Sequence, residues 1–239
     1  MMRTNKSGGN MYEETWTTNP LGGECPHHCS YCYVRNVIKI NKTLAQKYSG
    51  EQRLIESVLD GNTGEGKKIF VCSMNDLFAG EMTVGRISDI QKIMLACRKY
   101  PGNTYIFQTK NPRNLLKIID DLKFPNTTHI GTTIETNREY LIAEHSEAPP
   151  VSDRAEAMSL IRKWIPVETF VTIEPIMDFD LDDFVSLIRD ANPHYVNIGA
   201  DSGNNNLPEP TGSDVIDLIL ELQSFTHVIL KPNIRRLFQ

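Results

Sequence analysis

The sequence predicts an α/β fold, a partial (open) parallel (βα)6-7 barrel of the TIM type. Six short runs carry the first part of this reading: residues 69–73, 104–109, 129–134, 169–174, 195–200 and 228–231. They are rich in Val, Ile, Phe, Tyr and Thr and almost continuously apolar, as strands buried on both faces are. Helical patterns lie between them, and strand–helix alternation implies a parallel sheet with helices outside. A complete eight-unit barrel takes about 250 residues, roughly 31 per unit. The strands recur at about that spacing, but six or seven fit rather than eight, so the barrel is expected to stay open. A doubly wound open sheet is the alternative arrangement of the same elements.

The elements follow in order. Residues 1–14 read as a flexible N-terminal segment, and residues 15–239 as a single domain. Residues 1–10 are polar and lack the apolar centre of a signal peptide. Residues 16–19 are the weaker candidate for a first strand. A helix is expected over 44–59, with Tyr48, Leu54, Ile55, Val58 and Leu59 along one side. Residues 61–66, Gly-Asn-Thr-Gly-Glu-Gly, make a turn before the next strand. Ile87, Ile90, Ile93, Met94 and Cys97 form a stripe of helical spacing, with Thr83 as N-cap. Pro112 suits the first position of a helix over 111–122. A helix over 152–164 opens on Asp153-x-x-Glu156, which resembles a capping box. Asp182 and Asp183 suit the start of a helix over 181–191. Ser213 is the expected cap of the last helix, 213–222, and the polar 204–211 loop is a candidate lid or substrate loop.

The chain has 239 residues and a formal charge of −5, from 25 Lys and Arg against 30 Asp and Glu. This argues against a broad nucleic-acid footprint, which is normally basic. Lys231, Arg235 and Arg236 form either a local basic groove or a solvated tail. No apolar run approaches the roughly 20 residues of a membrane span. Five cysteines, three of them clustered, do not form a secreted disulfide framework. A cytoplasmic location is the expectation, and the sequence selects no oligomeric state.

The cluster is Cys25-Pro26-His27-His28-Cys29-Ser30-Tyr31-Cys32, a C-x3-C-x2-C spacing. Three thiolates so placed can fill three irons of a four-iron cluster and leave the fourth without a protein ligand. An open iron is a place to bind and reduce a small molecule. The rival readings are a structural zinc site completed by His27 or His28 and a cluster that only transfers electrons. Zinc sites usually pair their cysteine motifs, and no second pair exists here. Cys72 and Cys97 stand singly in apolar patterns and read as core residues.

The spacing, with Tyr31 before the third cysteine, resembles the cluster motif of the radical S-adenosylmethionine (radical SAM) superfamily. The context from Thr18-Asn19-Pro20 to Tyr31-Cys32-Tyr33 looks like two of its branches. One is the spore photoproduct lyase-like group. The other is a family of small radical SAM proteins of phages and prophages. The second resemblance continues through Ser73-Met74-Asn75-Asp76-Leu77-Phe78, Gln108-Thr109-Lys110, Gly131-Thr132-Thr133-Ile134-Glu135, Thr172-Ile173-Glu174-Pro175 and Asn197-Ile198-Gly199-Ala200-Asp201-Ser202.

The resemblance implies a [4Fe-4S] cluster on Cys25, Cys29 and Cys32, and SAM as cosubstrate. Reductive cleavage would give methionine and a 5′-deoxyadenosyl radical that abstracts hydrogen from substrate. An external electron donor of flavodoxin or ferredoxin type is implied. In parallel barrels reactive groups lie at the C-terminal ends of strands, which orders the candidate SAM contacts. Tyr31 and Tyr33 would pack near adenine. Ser73, Asn75 and Asp76 stand where the superfamily usually has a Gly-Gly-Glu-like segment holding the methionine amino group. Lys110 can meet a carboxylate of cosubstrate or substrate. Thr133 and Glu135 share one face and suit the ribose hydroxyls. Glu174, Gly199, Asp201 and Lys231 complete the set, with Lys231 able to pair with Glu174 or Asp201. The substrate is expected to be a nucleotide or nucleic-acid base; a small molecule or peptide is the alternative. Spore photoproduct lyase-like proteins use a cysteine in their C-terminal region, and none follows Cys97 here. That argues against thymine-dimer repair by the same mechanism.

Overall fold

A computed structural model describes Asn5, Lys6, Tyr12 and residues 14–239; the rest of the expected N-terminal segment lies outside the described residues. The chain forms two compact units that interleave in sequence. The first comprises residues 1–26, 32–109 and 114–129, the second residues 27–31, 110–113 and 130–239.

The first unit holds β1 (Thr15–Thr18), β2 (Lys68–Val71), β3 (Thr104–Gln108) and the start of β4 (Thr127–Thr133). β1 pairs parallel with β2, Thr15 opposite Lys68, and β2 parallel with β3, Val71 opposite Phe107. Asn5–Lys6 adds antiparallel to β1, and Leu21–Gly22 pairs antiparallel with Arg53–Leu54. The second unit continues from β4 to β5 (Glu168–Ile173), β6 (Tyr195–Ile198) and β7 (His227–Leu230). β5 pairs parallel with β6 and β6 with β7. The expected class is borne out: the sheet has seven parallel strands and does not close into a complete barrel. All seven expected strands are present, each within a few residues of its predicted bounds.

The apolar runs are interior for the reason the pattern gave. Ile69, Val71, Tyr105, Ile106 and Phe107 are buried in the first unit, and Phe170, Val171, Ile173, Val196 and Ile198 in the second. β7 differs: Ile229 and Leu230 are exposed although their run is just as apolar, because β7 ends the strand order.

The helices are α1 (Tyr33–Ile40), α2 (Lys42–Lys47), α3 (Glu56–Leu59), α4 (Val84–Arg98), α5 (Pro112–Lys117), α6 (Glu139–Ala143), α7 (Val151–Trp164), α8 (Leu181–Ala191) and α9 (Gly212–Gln223). α4 has the expected cap, Thr83 Oγ1 accepting from Arg86 N at 3.2 Å, and its stripe Ile90, Ile93, Met94 and Cys97 is buried.

Four expectations are corrected. Residues 44–59 are not one helix, because the chain turns out at Gly50, φ 70°, and Arg53 donates to the carbonyls of Ser49 and Lys47 at 2.9 and 3.2 Å. α5 is shorter than the expected 111–122, which finishes as a 3-10 turn over Ile119–Asp121. α7 is not capped by Asp153; the Glu139 carboxylate accepts from Val151 N at 3.1 Å and Ser152 N at 3.0 Å. α9 is capped by Thr211 rather than Ser213, in a reciprocal capping box with Asp214. α1, directly after the cysteine run, has no counterpart among the expected helices. Among the described residues no helix is long and apolar enough to cross a membrane.

Candidate functional site

The cysteine run follows β1 and the Leu21–Gly22 strand. Gly23 has φ 85°, and a Cβ there would lie 2.1 Å from the Glu51 carbonyl oxygen, so only glycine can lead the chain into Cys25. None of the three cysteines is in a disulfide; Cys29 is buried and Cys25 and Cys32 are partly exposed. The residues around Cys29 are fastened within the second unit. Glu147 N donates to His27 O at 2.8 Å, Ser30 N to His145 O at 2.8 Å, and Ser30 Oγ meets His145 Nδ1 at 2.9 Å. The Cys29 sulfur lies 3.1 Å from Ser146 Oγ. Cys32 caps α1 through its backbone, without a side-chain cap bond.

By its chemistry, a C-x3-C-x2-C set of thiols suits a four-iron cluster, which spreads them over three irons. Among the described residues no three His, Cys, Asp or Glu side chains are grouped to hold a single ion.

After β2 the segment from Ser73 to Gly80 is laced into the first unit. The Asn75 amide donates to Gly23 O at 2.8 Å, and its oxygen accepts from Gln52 Nε2 at 2.6 Å and Asp76 N at 2.9 Å. The Asp76 carboxylate accepts from Phe78 N at 2.9 Å and Thr109 Oγ1 at 3.0 Å. Both side chains therefore hold the segment's own shape. Ser73 contributes its carbonyl, which accepts from Tyr33 OH at 2.7 Å. Arg86, nine-tenths buried on α4, donates to Leu77 O at 2.8 Å, while its Nε and Nη1 have no hydrogen-bond partner. Burial holds its guanidinium below the ordinary value, opposed by Cys72, Asp76, Asp89 and Cys25 nearby.

In the second unit β4 delivers Glu135 into a buried ion network. Tyr31 OH donates to its Oε1 at 2.6 Å, Arg154 Nη1 donates to its Oε2 at 3.0 Å, and Lys110 Nζ is hydrogen-bonded to Oε1. Lys110 Nζ also lies 5.2 Å from the centre of the Tyr31 ring. Arg154 also donates to Pro149 O at 2.7 Å and Thr133 O at 2.9 Å, while its Nη2 has no hydrogen-bond partner. Burial would raise the Glu135 carboxyl, but Lys110 and Arg154 outweigh it and hold it at about 2. Burial and the Glu135 charge push the Tyr31 phenol well up. Glu135 and Arg154 have no exposed surface, whereas the Lys110 side chain is 16% exposed. The expected ribose acceptor is thus the buried anchor of Tyr31 and Lys110 in this structure, and Lys110 is the member open to a ligand. Thr133 is buried, its carbonyl accepting from Arg154 Nη1.

A second cluster stands at the ends of β5 and β7. Lys231 Nζ is ion-paired with Glu174 Oε2, and Asn233 Nδ2 donates to Glu174 Oε1 at 2.8 Å and Ala200 O at 2.7 Å. Of the two partners expected for Lys231, this structure shows Glu174. A Cβ on Gly199 would lie 2.7 Å from Glu174 Oε1 and 3.0 Å from Asn233 Oδ1, so the small residue admits this pair. Asp201 turns to its own loop, accepting from Gly203 N at 3.0 Å and Asn205 Nδ2 at 2.6 Å. Arg236 donates to Asp201 O at 3.0 Å and pairs with Glu209. Of the basic trio near the C-terminal end of the chain, Lys231 is therefore committed to the interior.

Sequence reasoning missed Arg154, Arg86, Ser146 and Asn233. The two arginines carried a signal: Arg154 falls on the stripe Val151, Ala155, Met158, and Arg86 on the stripe Ile90, Ile93, Cys97. A charge on a buried helical stripe implies a buried partner.

No curated protein matches the chain. Among solved structures, a variant of spore photoproduct lyase shares the fold with a TM-score of 0.64 at 10% identity, covering 96% of this chain and 78% of that one. Another variant gives 0.63 at 11% identity, with coverage of 96% and 78%. A variant with bound AdoMet and dinucleoside spore photoproduct gives 0.55 at 12% identity, covering 94% of this chain. The chain spans only 64% of the length of that structure. A family model described as "Protein of unknown function (DUF5131)" matches residues 10–212, and the chain belongs to that family.

Proposed function

We propose that the protein is a radical SAM enzyme. The observation that carries this reading is the C-x3-C-x2-C run after the first strand of an open parallel sheet, its thiols unbridged and its middle part fastened. The likeness in fold to spore photoproduct lyase, one of whose structures holds AdoMet, supports it. Cys25, Cys29 and Cys32 would hold a [4Fe-4S] cluster. With SAM bound, the pair supplies reductive cleavage to methionine and a 5′-deoxyadenosyl radical that takes hydrogen from substrate.

The chain's own residues bind and orient. Lys110, held by Glu135 and partly open, offers its ammonium to the methionine carboxylate of SAM. Glu135 and Arg154 act one step behind it, fixing Lys110 and the Tyr31 phenol. Tyr31 and Tyr33 flank the third cysteine on the adenine side. The segment of Ser73, Asn75 and Asp76 serves the amino group through the backbone its side chains hold in place. Thr133, Glu174, Gly199, Asp201 and Lys231 shape the remaining strand ends. The substrate class is a nucleotide or nucleic-acid base, in line with the dinucleoside spore photoproduct bound in the neighbour. A one-electron donor of flavodoxin or ferredoxin type completes the system.

The test is anaerobic. Protein reconstituted with iron and sulfide is given SAM and dithionite, and 5′-deoxyadenosine is sought by mass spectrometry. The wild type is expected to form it and Cys29→Ala to lose both cluster and product. Product undiminished in Cys29→Ala would sink the assignment, as would a colourless wild type that retains zinc.

A further inference from the structure

We infer that Ser146 donates a hydrogen bond to the Cys29 ligand sulfur and so raises the reduction potential of the cluster, an inference that rests on the cluster reading above. A serine hydroxyl has one proton and two lone pairs. Ala148 N donates to Ser146 Oγ at 3.2 Å, so one lone pair is taken. Two acceptors then compete for the proton: the Cys29 sulfur at 3.1 Å and the His27 carbonyl at 3.4 Å. As a thiol, Cys29 could itself be the donor. As a metal ligand it must be a thiolate, which can only accept. The sulfur is also the nearer acceptor, and an oxygen–oxygen separation of 3.4 Å is outside the range of a good O–H···O bond.

The donor is held in place. His145 and Glu147, on either side of Ser146, carry the two backbone bonds to Ser30 and His27, each 2.8 Å. Cys29 is only 8% exposed, so water competes little for its sulfur. The Tyr31 phenol does not compete for it either, since its O–H donates to Glu135 Oε1 at 2.6 Å.

Adding an electron to a thiolate-ligated cluster increases the negative charge shared by its sulfurs. A donor aimed at a ligand sulfur stabilises that reduced form more than the oxidised one. Hydrogen bonds to sulfur are among the levers that set such potentials. Ser146 is thus a positioning and tuning residue, acting through Cys29 without touching the reacting atoms.

The experiment uses the full chain reconstituted with iron and sulfide, titrated electrochemically with the reduced cluster followed by EPR. S146A is expected to lower the ratio of reduced to oxidised cluster about tenfold at a fixed potential, about 59 mV for a one-electron couple. S146T, which keeps the hydroxyl, should stay near the wild type, while S146V, of nearly the same shape, should follow S146A. A purely structural role would change thermal stability and iron content and leave the midpoint where it was. Equal midpoints for the wild type and S146V would overturn the inference, and S146V carries the test if S146A loses iron. A wild type that holds no cluster would instead overturn the reading on which the inference rests.

Discussion

Replacing Glu135 by Gln removes the carboxylate that faces Arg154 in the buried network, and the consequences follow from the contacts. Arg154 has no exposed surface and keeps Pro149 O and Thr133 O as acceptors, but loses its counter-charge. Lys110, partly exposed, can turn to solvent. Arg154 cannot, because it is fully buried, and a guanidinium does not deprotonate in a protein. Breaking one side of a buried ion pair costs about 3–5 kcal/mol, and the fixed charge on Arg154 places E135Q within that range. The carboxyl adds a pH signature. Its folded value of about 2 lies below the ordinary 4.5. The stabilisation is therefore complete above pH 4.5 and lost as pH falls towards 2. The 2.5-unit difference is worth about 3.4 kcal/mol, of which about 2 kcal/mol is gone by pH 3. Urea unfolding of the wild type and E135Q at pH 7 and pH 3 measures both effects. The gap between the proteins should be at least about 3 kcal/mol at pH 7 and shrink by about 2 kcal/mol at pH 3. E135Q/R154M should recover most of the loss, since an apolar replacement of a whole buried pair is often neutral. A gap under about 1 kcal/mol at pH 7, or one that does not change with pH, would refute the network as drawn.

Two further outcomes are expected. K110M should weaken SAM binding at least tenfold, about 1.4 kcal/mol, without changing iron content; calorimetry on the reconstituted protein reads the first and iron analysis the second, and unchanged affinity would remove Lys110 from the site. G199A should destabilise the protein by about 1–3 kcal/mol, because the new methyl presses on the Glu174 carboxylate; a melting temperature equal to the wild type would show that Glu174 and Asn233 move aside freely.

The strands were legible because burial on both faces writes a continuous apolar run, as in β2, β5 and β6. The exposed β7 carries the same kind of run and shows that sequence does not mark which strand ends the order. α4 was legible from its cap and stripe, and α8 from the acidic residues at its start. The 44–59 stretch was not, because its apolar residues serve a short strand and two short helices, broken at Gly50. The cysteine spacing is what motivates the proposed metal loop, and it was legible without the fold. Glu135 was found by its place at a strand end, yet its partners come from residues 31, 110 and 154, which no local pattern connects. Ser146 carried no signal at all, for its contact with Cys29 spans 117 residues of chain.

The Glu139 carboxylate that caps α7 also has a mechanical effect. It joins residues 12 and 13 positions apart in the chain and so turns the stretch from α6 to α7 into a closed ring. Arg154 pins the same ring again at Pro149 O. His145, Ser146 and Glu147, which grip the middle of the cysteine run, ride on that ring. A short ring fastened twice has little slack to lose. A spacer residue inserted near position 148 would have no free end to relax through, and would push the grip on Cys29 out of line.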